Sequence, residues 1–234
     1  RDNVAICGYH GWHDWYLSAN LNDNRNLDNH LLSGLEPNGV PGNLKGTVFP
    51  FTYNNIGELE QLVNERNLGV IVMEVLRNYQ PKQNFLQKVR KLASDNGIVL
   101  IFDECTTGFR ETFGGIHKKY KVEPDIAMFG KALGNGYAIT TIIGRREVMQ
   151  QAQSSFISST FWTERIGPTA ALKTLEIMER EKSWEKITNI GKKIHENIGR
   201  IAKKYELKIT QYGLPSLTSF RFESKNSIIY KTLI

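Results

Sequence analysis

Short apolar runs alternate along the first two thirds of the chain with stretches in which apolar residues recur at helical spacing. Several of these runs are apolar throughout, which is typical of strands that are covered on both faces. Such strands alternating with helices predict an α/β domain with a mainly parallel sheet. The predicted strands are Val4–Cys7, Thr47–Phe51, Val70–Met73, Ile98–Phe102, Ile126–Phe129 and Ile139–Ile143.

Two helices are predicted between these strands. Ile56–Asn67 carries apolar residues one turn apart, and Phe85–Asn96 does so as well before it meets Gly97, a usual helix stop. Residues 20–46 are rich in Asn, Gly and Leu and show little periodicity. We expect a long surface excursion over residues 20–46, since loops of this length in a domain are usually functional or mobile.

The pattern changes after Thr160. The predicted elements there are two long helices, Arg165–Arg180 and Trp184–Tyr205, and two strands, Lys208–Thr210 and Ser216–Glu223. No Pro/Gly-rich linker separates them from the preceding part. We predict a large domain over residues 1–180 and the start of a small α+β domain over residues 181–234.

Composition excludes several classes of protein. Hydrophobic residues at 40% and charged residues at 23% are ordinary globular values and argue against intrinsic disorder. No apolar run approaches the roughly 20 residues that cross a bilayer, so we predict no membrane association. The net charge of +6 is scattered among acids rather than gathered in a basic run, which argues against nucleic acid and leaves room for an anionic small-molecule site. Two cysteines cannot form a disulfide framework, and we expect a cytoplasmic location.

Asp103 and Glu104 follow directly on the apolar run Ile98–Phe102. Ligands of open α/β sheets bind beyond the carboxyl ends of the strands, so Asp103 stands where a site is expected. A helix N-cap or a surface acid is an equally good interpretation of this segment by itself.

Lys131 follows the predicted strand Ile126–Phe129, with Gly130 before it and Gly134 and Gly136 after it. A lysine in this setting can be desolvated, which lowers the pKa of an amine and makes it a competent nucleophile for a Schiff base. The segment is not a phosphate-binding P-loop, because Ala132 follows the lysine instead of Ser or Thr. On this segment alone, an ordinary surface lysine remains the alternative.

Three blocks together resemble the class III aminotransferases, pyridoxal phosphate (PLP) enzymes of fold type I. The blocks are Asp103–Arg110 with Gly114 and Gly115, Val122–Ile126, and Gly130–Gly136. Lys131 follows Asp103 by 28 positions, a spacing that most resembles the glutamate-1-semialdehyde aminomutase branch. Gly144–Met149 and the upstream Tyr9–Trp12 also resemble family segments, and the similarity covers roughly residues 1–180.

The resemblance implies a fold and a cofactor. The expected fold is a mainly parallel seven-stranded sheet with helices on both faces, plus part of a small C-terminal domain. The chain begins in a strand-like segment and stops within an amphipathic one, so we expect a fragment whose phosphate loop and carboxylate-binding residues lie elsewhere. The expected cofactor is pyridoxal 5'-phosphate, and no metal is expected.

The resemblance also assigns residue roles. Lys131 would carry PLP as a Schiff base and move the proton, while Asp103 would pair with the pyridine nitrogen and keep it protonated. Tyr9 would stack on the cofactor ring, although a core aromatic is the alternative. For His10, a structural hydrogen bond is as good an interpretation as catalysis.

The other residues that the resemblance assigns to cofactor binding match the family sequence less well. Thr106 stands where many class III transaminases have Gln, and could donate a hydrogen bond to the phenolic oxygen. Glu74 matches a family Glu-Pro at a strand end, but Val75 replaces the proline. Thr160 matches a threonine that binds the PLP phosphate of the partner subunit, although the following Trp162–Arg165 departs from the family sequence.

The resulting prediction is an aminotransferase that moves an amino group from a small-molecule donor to a keto or aldehyde acceptor, as a homodimer with a shared active site. One alternative is a glutamate-1-semialdehyde 2,1-aminomutase, which shifts the amine within one molecule. A second alternative is a non-catalytic relative that uses the same fold for binding or assembly.

Overall fold

The computed structural model describes residues 1–30 and 33–223. Six strands form one sheet in the order β2-β1-β3-β4-β5-β6. The strands are β1 (Asn3–Cys7), β2 (Val48–Pro50), β3 (Leu68–Glu74), β4 (Val99–Asp103), β5 (Ile126–Phe129) and β6 (Thr141–Gly144). The resemblance implies seven strands in the complete fold, and the described residues supply six of them.

Neighbouring strands from β2 to β5 run parallel, and β6 pairs antiparallel to β5. The mainly parallel sheet predicted from the sequence is therefore confirmed. In this arrangement β1, β3, β4 and β5 end at the same edge of the sheet. The register pairs Glu74 with Asp103, so the last residues of β3 and β4 lie side by side at that edge.

The helices of the structure are α1 (Asp14–Leu17), α2 (Ile56–Glu65), α3 (Phe85–Asp95), α4 (His117–Tyr120), α5 (Arg146–Met149), α6 (Ile166–Glu181) and α7 (Ser183–Lys204). The four long helices agree with the predicted ones to within two residues at each end. The four-residue helices α1, α4 and α5 were not predicted, because a single turn leaves no periodic signal in the sequence.

Both faces of the sheet are covered, as the apolar strands predict. On one face, Ile71 and Met73 of β3 pack with Leu59 of α2 and Val89 of α3. On the other face, Ile6 of β1 and Val72 of β3 pack with Tyr16, Ala19 and Leu27. The excursion predicted over residues 20–46 is irregular where described, but its Leu27 is completely buried and anchors it to the sheet.

The edge strand β6 is less buried than the other strands of the sheet. The strand predicted over Ile139–Ile143 begins only at Thr141, and its Ile142 and Ile143 are 56% and 55% exposed. The apolar content of a strand does not reveal whether it occupies the centre or the edge of a sheet. On β6, both isoleucine side chains are left largely uncovered.

The C-terminal part packs α7 against a two-stranded antiparallel sheet of β7 (Ile209–Tyr212) and β8 (Ser219–Phe222). The strand predicted over Ser216–Glu223 is wrong for its first three residues. A 3₁₀ turn occupies Pro215–Leu217, because proline lacks the N–H that a strand ladder needs and has the φ of a helical first turn. Among the described residues, no helix is long and apolar enough to cross a membrane.

Candidate active site

Charged side chains collect at the edge where the parallel strands end. Glu74 ends β3 and Asp103 ends β4, while Lys131 follows β5 after a single intervening glycine. The backbone N–H of Glu104 donates to the carbonyl of Met128 at 2.9 Å, which ties the end of β4 to β5. The topology thus brings together the acid and the lysine that the sequence singled out.

Asp103 is buried and fully engaged. Its Oδ2 lies 3.0 Å from Nδ1 of His10, and its Oδ1 accepts from the backbone N–H of Cys105 at 3.0 Å. Burial raises the pKa of Asp103, but the hydrogen bond and charge of His10 and the N–H of Cys105 outweigh it, so the pKa falls below its usual range. Asp103 is therefore held as a carboxylate, and His10 must donate to it.

Lys131 begins a 3₁₀ turn at the exit of β5, with a φ of 43° in the left-handed region. Its Nζ donates to Oγ1 of Thr106 at 2.8 Å, and its side chain remains exposed. Burial and the charge of Asp103 raise the pKa of the neighbouring Cys105 to about 12, while the charge of Lys131 opposes the rise. The amine therefore lies beside a neutral thiol and a hydroxyl.

Glu74 links the end of β1 to the end of β3. Its Oε2 accepts from the backbone N–H of Tyr9 at 3.1 Å and lies 3.4 Å from Nη1 of Arg77. Burial raises the pKa of Glu74, against the lowering effects of Arg77 and of the Tyr9 N–H. Gly8 permits this approach, because a Cβ there would lie 2.5 Å from Oε2 and its φ of 116° suits glycine.

Tyr9 and His10 lie where β1 ends. The ring of Tyr9 meets Trp12 and Tyr16 edge to face at 5.8 and 6.0 Å, and the guanidinium of Arg77 lies 5.9 Å from its centroid. Nε2 of His10 is buried without a hydrogen-bond partner among the described residues. Buried polar atoms usually have a hydrogen-bond partner, and a ligand bound in the site would supply one for Nε2.

Thr160 lies apart from this cluster. It stands in an exposed, irregular stretch before α6, beside the exposed side chains of Phe161 and Trp162. Within residues 1–30 and 33–223, no hydrogen bond joins Thr160 to Lys131 or Asp103. A role for Thr160 in the site of its own chain therefore has no support in the hydrogen bonds.

Glu104 and Arg77 are contributors that the sequence analysis did not identify as site residues. Glu104 is completely buried and accepts from Thr107 Oγ1 at 2.5 Å and from the backbone N–H and Nδ1 of His117, both at 2.9 Å. These bonds fix the turn that presents Thr106 to Lys131. Glu104 stands beside Asp103 in the sequence. Its partner His117 is 13 residues away, so the sequence pattern does not predict this pair.

Two cavities lie near this edge of the sheet, and Lys131 itself lines the first of them. One, of about 1050 Å³, lies between the Lys131–Tyr137 segment and α6, and Arg110 and Arg165 line it. The other, of about 680 Å³, reaches Thr106 from the side of Arg77 and the β7–β8 sheet. Both volumes are in the range of ordinary small-molecule sites.

Known proteins share this architecture. The sequence model of the Aminotransferase class-III family matches residues 57–226. The 3-aminobutyryl-CoA aminotransferase of Cloacimonas acidaminovorans is 31% identical over 100% of this chain and 54% of its own length. The glutamate-1-semialdehyde 2,1-aminomutase of Methanocaldococcus jannaschii is 29% identical over 95% of this chain and 53% of its own. The chain thus spans about half the length of the curated relatives it matches.

Solved structures confirm the fold. The FumI protein of Sphingopyxis, in its PLP internal aldimine form, has a TM-score of 0.83 at 20% identity, over 96% of this chain and 52% of its own. An omega-transaminase from Sphaerobacter thermophilus has a TM-score of 0.80 at 20% identity, over 100% of this chain and 56% of its own. The α/β architecture expected from the sequence, PLP fold type I, is therefore confirmed.

Proposed function

The chain belongs to the class III aminotransferase family, and we propose that it forms part of a PLP-dependent aminotransferase. The reaction would move an amino group from a small-molecule donor to a keto or aldehyde acceptor. The observation that carries the proposal is the placement of an ionised Asp103 and an accessible Lys131 at the ends of the neighbouring strands β4 and β5.

The donor set fits PLP. An aldehyde needs an accessible amine, and the exposed Nζ of Lys131 has only a hydroxyl as hydrogen-bond partner among the described residues. A pyridine nitrogen that is to stay protonated needs a carboxylate held in its anionic form, as Asp103 is. When bound, the cofactor would supply an electron sink that stabilises negative charge at the substrate carbon.

The side chains of this chain would bind and orient the cofactor and move protons. Nζ of Lys131 would carry a proton to and from the reacting carbon, and Thr106 would hold that amine in place through Oγ1. His10 would keep Asp103 ionised through its Nδ1. Tyr9 would offer its ring to the cofactor, with its backbone fixed by Glu74.

A homodimer with a shared active site belongs to the same proposal. Thr160 would bind the cofactor phosphate of the partner subunit, since phosphate needs several hydrogen-bond donors when it is buried. Exposed apolar side chains lie close to Thr160 in the sequence, as an interface with a second copy requires: Phe156, Ile157, Phe161, Trp162 and Ile166.

The domain division and the location are proposed as well. Residues 1–180 would form the cofactor-binding domain and residues 181–234 the start of the second domain, a division supported by the end of α6 at Glu181. A cytoplasmic location is supported by the two free cysteines, Cys7 and Cys105.

A glutamate-1-semialdehyde aminomutase is the second candidate. The observation in its favour is the 29% identity of an archaeal aminomutase over 95% of this chain. An aminotransferase moves nitrogen between two molecules, whereas an aminomutase returns it to the same carbon skeleton.

The experiment that tests the proposal follows the nitrogen. The full chain is incubated with PLP, ¹⁵N-labelled amino donors and separate unlabelled keto or aldehyde acceptors, and the products are analysed by mass spectrometry. Label in the acceptor supports the aminotransferase. Isomerisation of glutamate-1-semialdehyde in the absence of any separate acceptor supports the aminomutase, and no turnover with any donor contradicts both.

A further inference from the structure

The cavity of about 680 Å³ on the Arg77 side of the site is assigned no role by the proposed reaction. It begins at Thr106, whose Oγ1 receives the hydrogen bond from Nζ of Lys131 at 2.8 Å. Its far wall is the β7–β8 sheet, with Tyr212 and Arg221. A molecule reacting at the lysine would therefore have room to extend into this cavity.

Arg77 forms the near wall of the cavity and is only partly neutralised. The described contacts of its guanidinium to oxygen both run through Nη1, which donates to the carbonyl of His30 at 3.1 Å and lies 3.4 Å from Oε2 of Glu74. The side chain is 39% exposed, although it follows the completely buried Val75 and Leu76. One end of the guanidinium is thus held, and Nε and Nη2 are left to donate as a fork.

Within the described part of the chain, the charged residues that line the cavity are both arginines. The second, Arg221, lines it from β8, and its Nε lies 3.9 Å from Glu223, which is beyond hydrogen-bond distance and also accepts a hydrogen bond from Thr210. Hydroxyl groups complete the polar surface, contributed by Tyr79, Thr106, Thr210, Tyr212, Thr218 and Ser219.

The two walls are fixed relative to each other. The backbone N–H of Gly213 donates to the carbonyl of Asn78 at 3.3 Å, next to Arg77. Leu214 is 1% exposed and joins the main core beside Leu76. The turn after β7 is therefore anchored to the loop that carries Arg77, and the separation of the two arginines is built into the fold.

We propose that this cavity is a subsite for an anionic group that the substrate carries away from its reacting carbon. Arg77 binds the group through its free fork, and Arg221 adds charge from the opposite wall. Carboxylates and phosphates can both accept two hydrogen bonds from the planar donors of a guanidinium, and both carry the negative charge that the subsite requires. The assignment rests on the proposed function, since it names the substrate class of that site.

The experiment uses calorimetric titration of the full chain, with and without PLP, because only protein side chains line the cavity. The probes are glutarate, its uncharged diamide glutaramide, and 4-phosphonobutyrate. The variants are Arg77→Gln, Arg77→Lys and Arg221→Gln, with Arg200→Gln on an exposed face of α7 as the matched control. Thermal unfolding shows that each variant is folded, and borohydride fixation of PLP on Lys131 reports cofactor loading.

The wild-type protein is expected to bind glutarate or 4-phosphonobutyrate roughly tenfold or more tightly than glutaramide, which carries no charge. The ratio between the affinities for the anionic and the uncharged probe falls towards one in Arg77→Gln. It is intermediate in Arg77→Lys and Arg221→Gln, and it is unchanged in Arg200→Gln. A tighter phosphonate identifies a phosphate-type group, and a tighter glutarate a carboxylate. An equal preference in wild type and Arg77→Gln, or none in wild type, overturns the subsite. Absence of PLP on Lys131 with the preference intact overturns only the proposed function.

Discussion

Two buried carboxylates at one sheet edge have pKa values that shift in opposite directions. Asp103 receives hydrogen bonds from His10 and from the Cys105 backbone, and its pKa falls. For Glu74, burial outweighs the lowering effects of Arg77 and of the Tyr9 N–H, and its pKa rises. The acid at the end of β4, next to the strand that leads to the lysine, is thus held in its anionic form, as protonation of a ring nitrogen requires.

His30 provides a pH-dependent prediction at the same edge. Its Nδ1 accepts the backbone N–H of Gly8 at 3.2 Å, and burial lowers the pKa of His30 from 6.5 to about 4, with His10 adding to the shift. The unfolded chain therefore binds a proton between pH 6.5 and 4 that the folded chain does not. The free energy of unfolding should fall by roughly 2–3 kcal/mol as the pH drops through that window and level off below it.

Urea unfolding between pH 4 and 7 measures this dependence. His30→Asn keeps an acceptor for Gly8 but cannot titrate, so its curve should be flatter than that of wild type by the amount given. His13→Asn, at an exposed position, serves as control and should follow wild type. Parallel curves for wild type and His30→Asn would show that His30 does not remain neutral in the folded protein.

At the scale of elements, the carboxyl ends of the strands were predictable, and the contacts between distant segments were not. Ile98–Phe102 and Ile126–Phe129 are apolar runs of strand length, so the positions of Asp103 and Lys131 beyond them followed from the sequence. Arg77 and the Glu104–His117 pair depend on loops and on partners far along the chain. The sequence also does not show which strand lies at an edge of the sheet, as the exposed Ile142 of β6 illustrates.

The contact between α7 and the turn before β8 gives a prediction for one glycine. A Cβ at Gly191 would lie 1.9 Å from the backbone carbonyl oxygen of Pro215, which belongs to a turn anchored in the core. Gly191→Ala should therefore separate the helix from this turn and lower the free energy of unfolding by about 1–3 kcal/mol.

Gly199→Ala on the same helix is the matched control. The nearest atom to a Cβ there is the flexible side-chain nitrogen of Gln211 at 3.3 Å, so helix propensity should dominate. Stability should stay level or rise by about 0.5–1 kcal/mol, as measured by urea unfolding. If Gly191→Ala were as stable as Gly199→Ala, the close packing of α7 on Pro215 would be wrong.

In the whole molecule, Asp103 offers a carboxylate to a cofactor ring and Lys131 offers an amine. No residue beside Lys131 is assigned to the cofactor phosphate by the sequence. The residue it assigned to phosphate, Thr160, lies on an exposed apolar surface with Phe156 and Trp162. A second subunit that covers this surface would bring its own Thr160 to the site, which accounts for both observations.

Mixed dimers test this arrangement. Thr160→Val removes one hydroxyl at nearly constant volume and should weaken PLP binding by about 1–3 kcal/mol. Lys131→Ala removes the amine that would form the Schiff base with PLP. At a PLP concentration that leaves Thr160→Val largely unloaded, refolding the two variants together should restore activity in one site per heterodimer, which holds Lys131 from one subunit and Thr160 from the other. Absence of recovered activity, or normal PLP affinity in Thr160→Val, would contradict the shared site.

The proposed chemistry depends on a Schiff base between Lys131 and PLP, which borohydride reduction makes permanent. The full chain is incubated with PLP, reduced, digested and analysed by mass spectrometry, with Lys131→Ala and the exposed Lys91→Ala treated in parallel. We expect a yellow protein whose absorbance changes on reduction and a single phosphopyridoxyl adduct on the peptide containing Lys131, absent in Lys131→Ala and retained in Lys91→Ala. A colourless protein, or an adduct confined to other lysines, would contradict it.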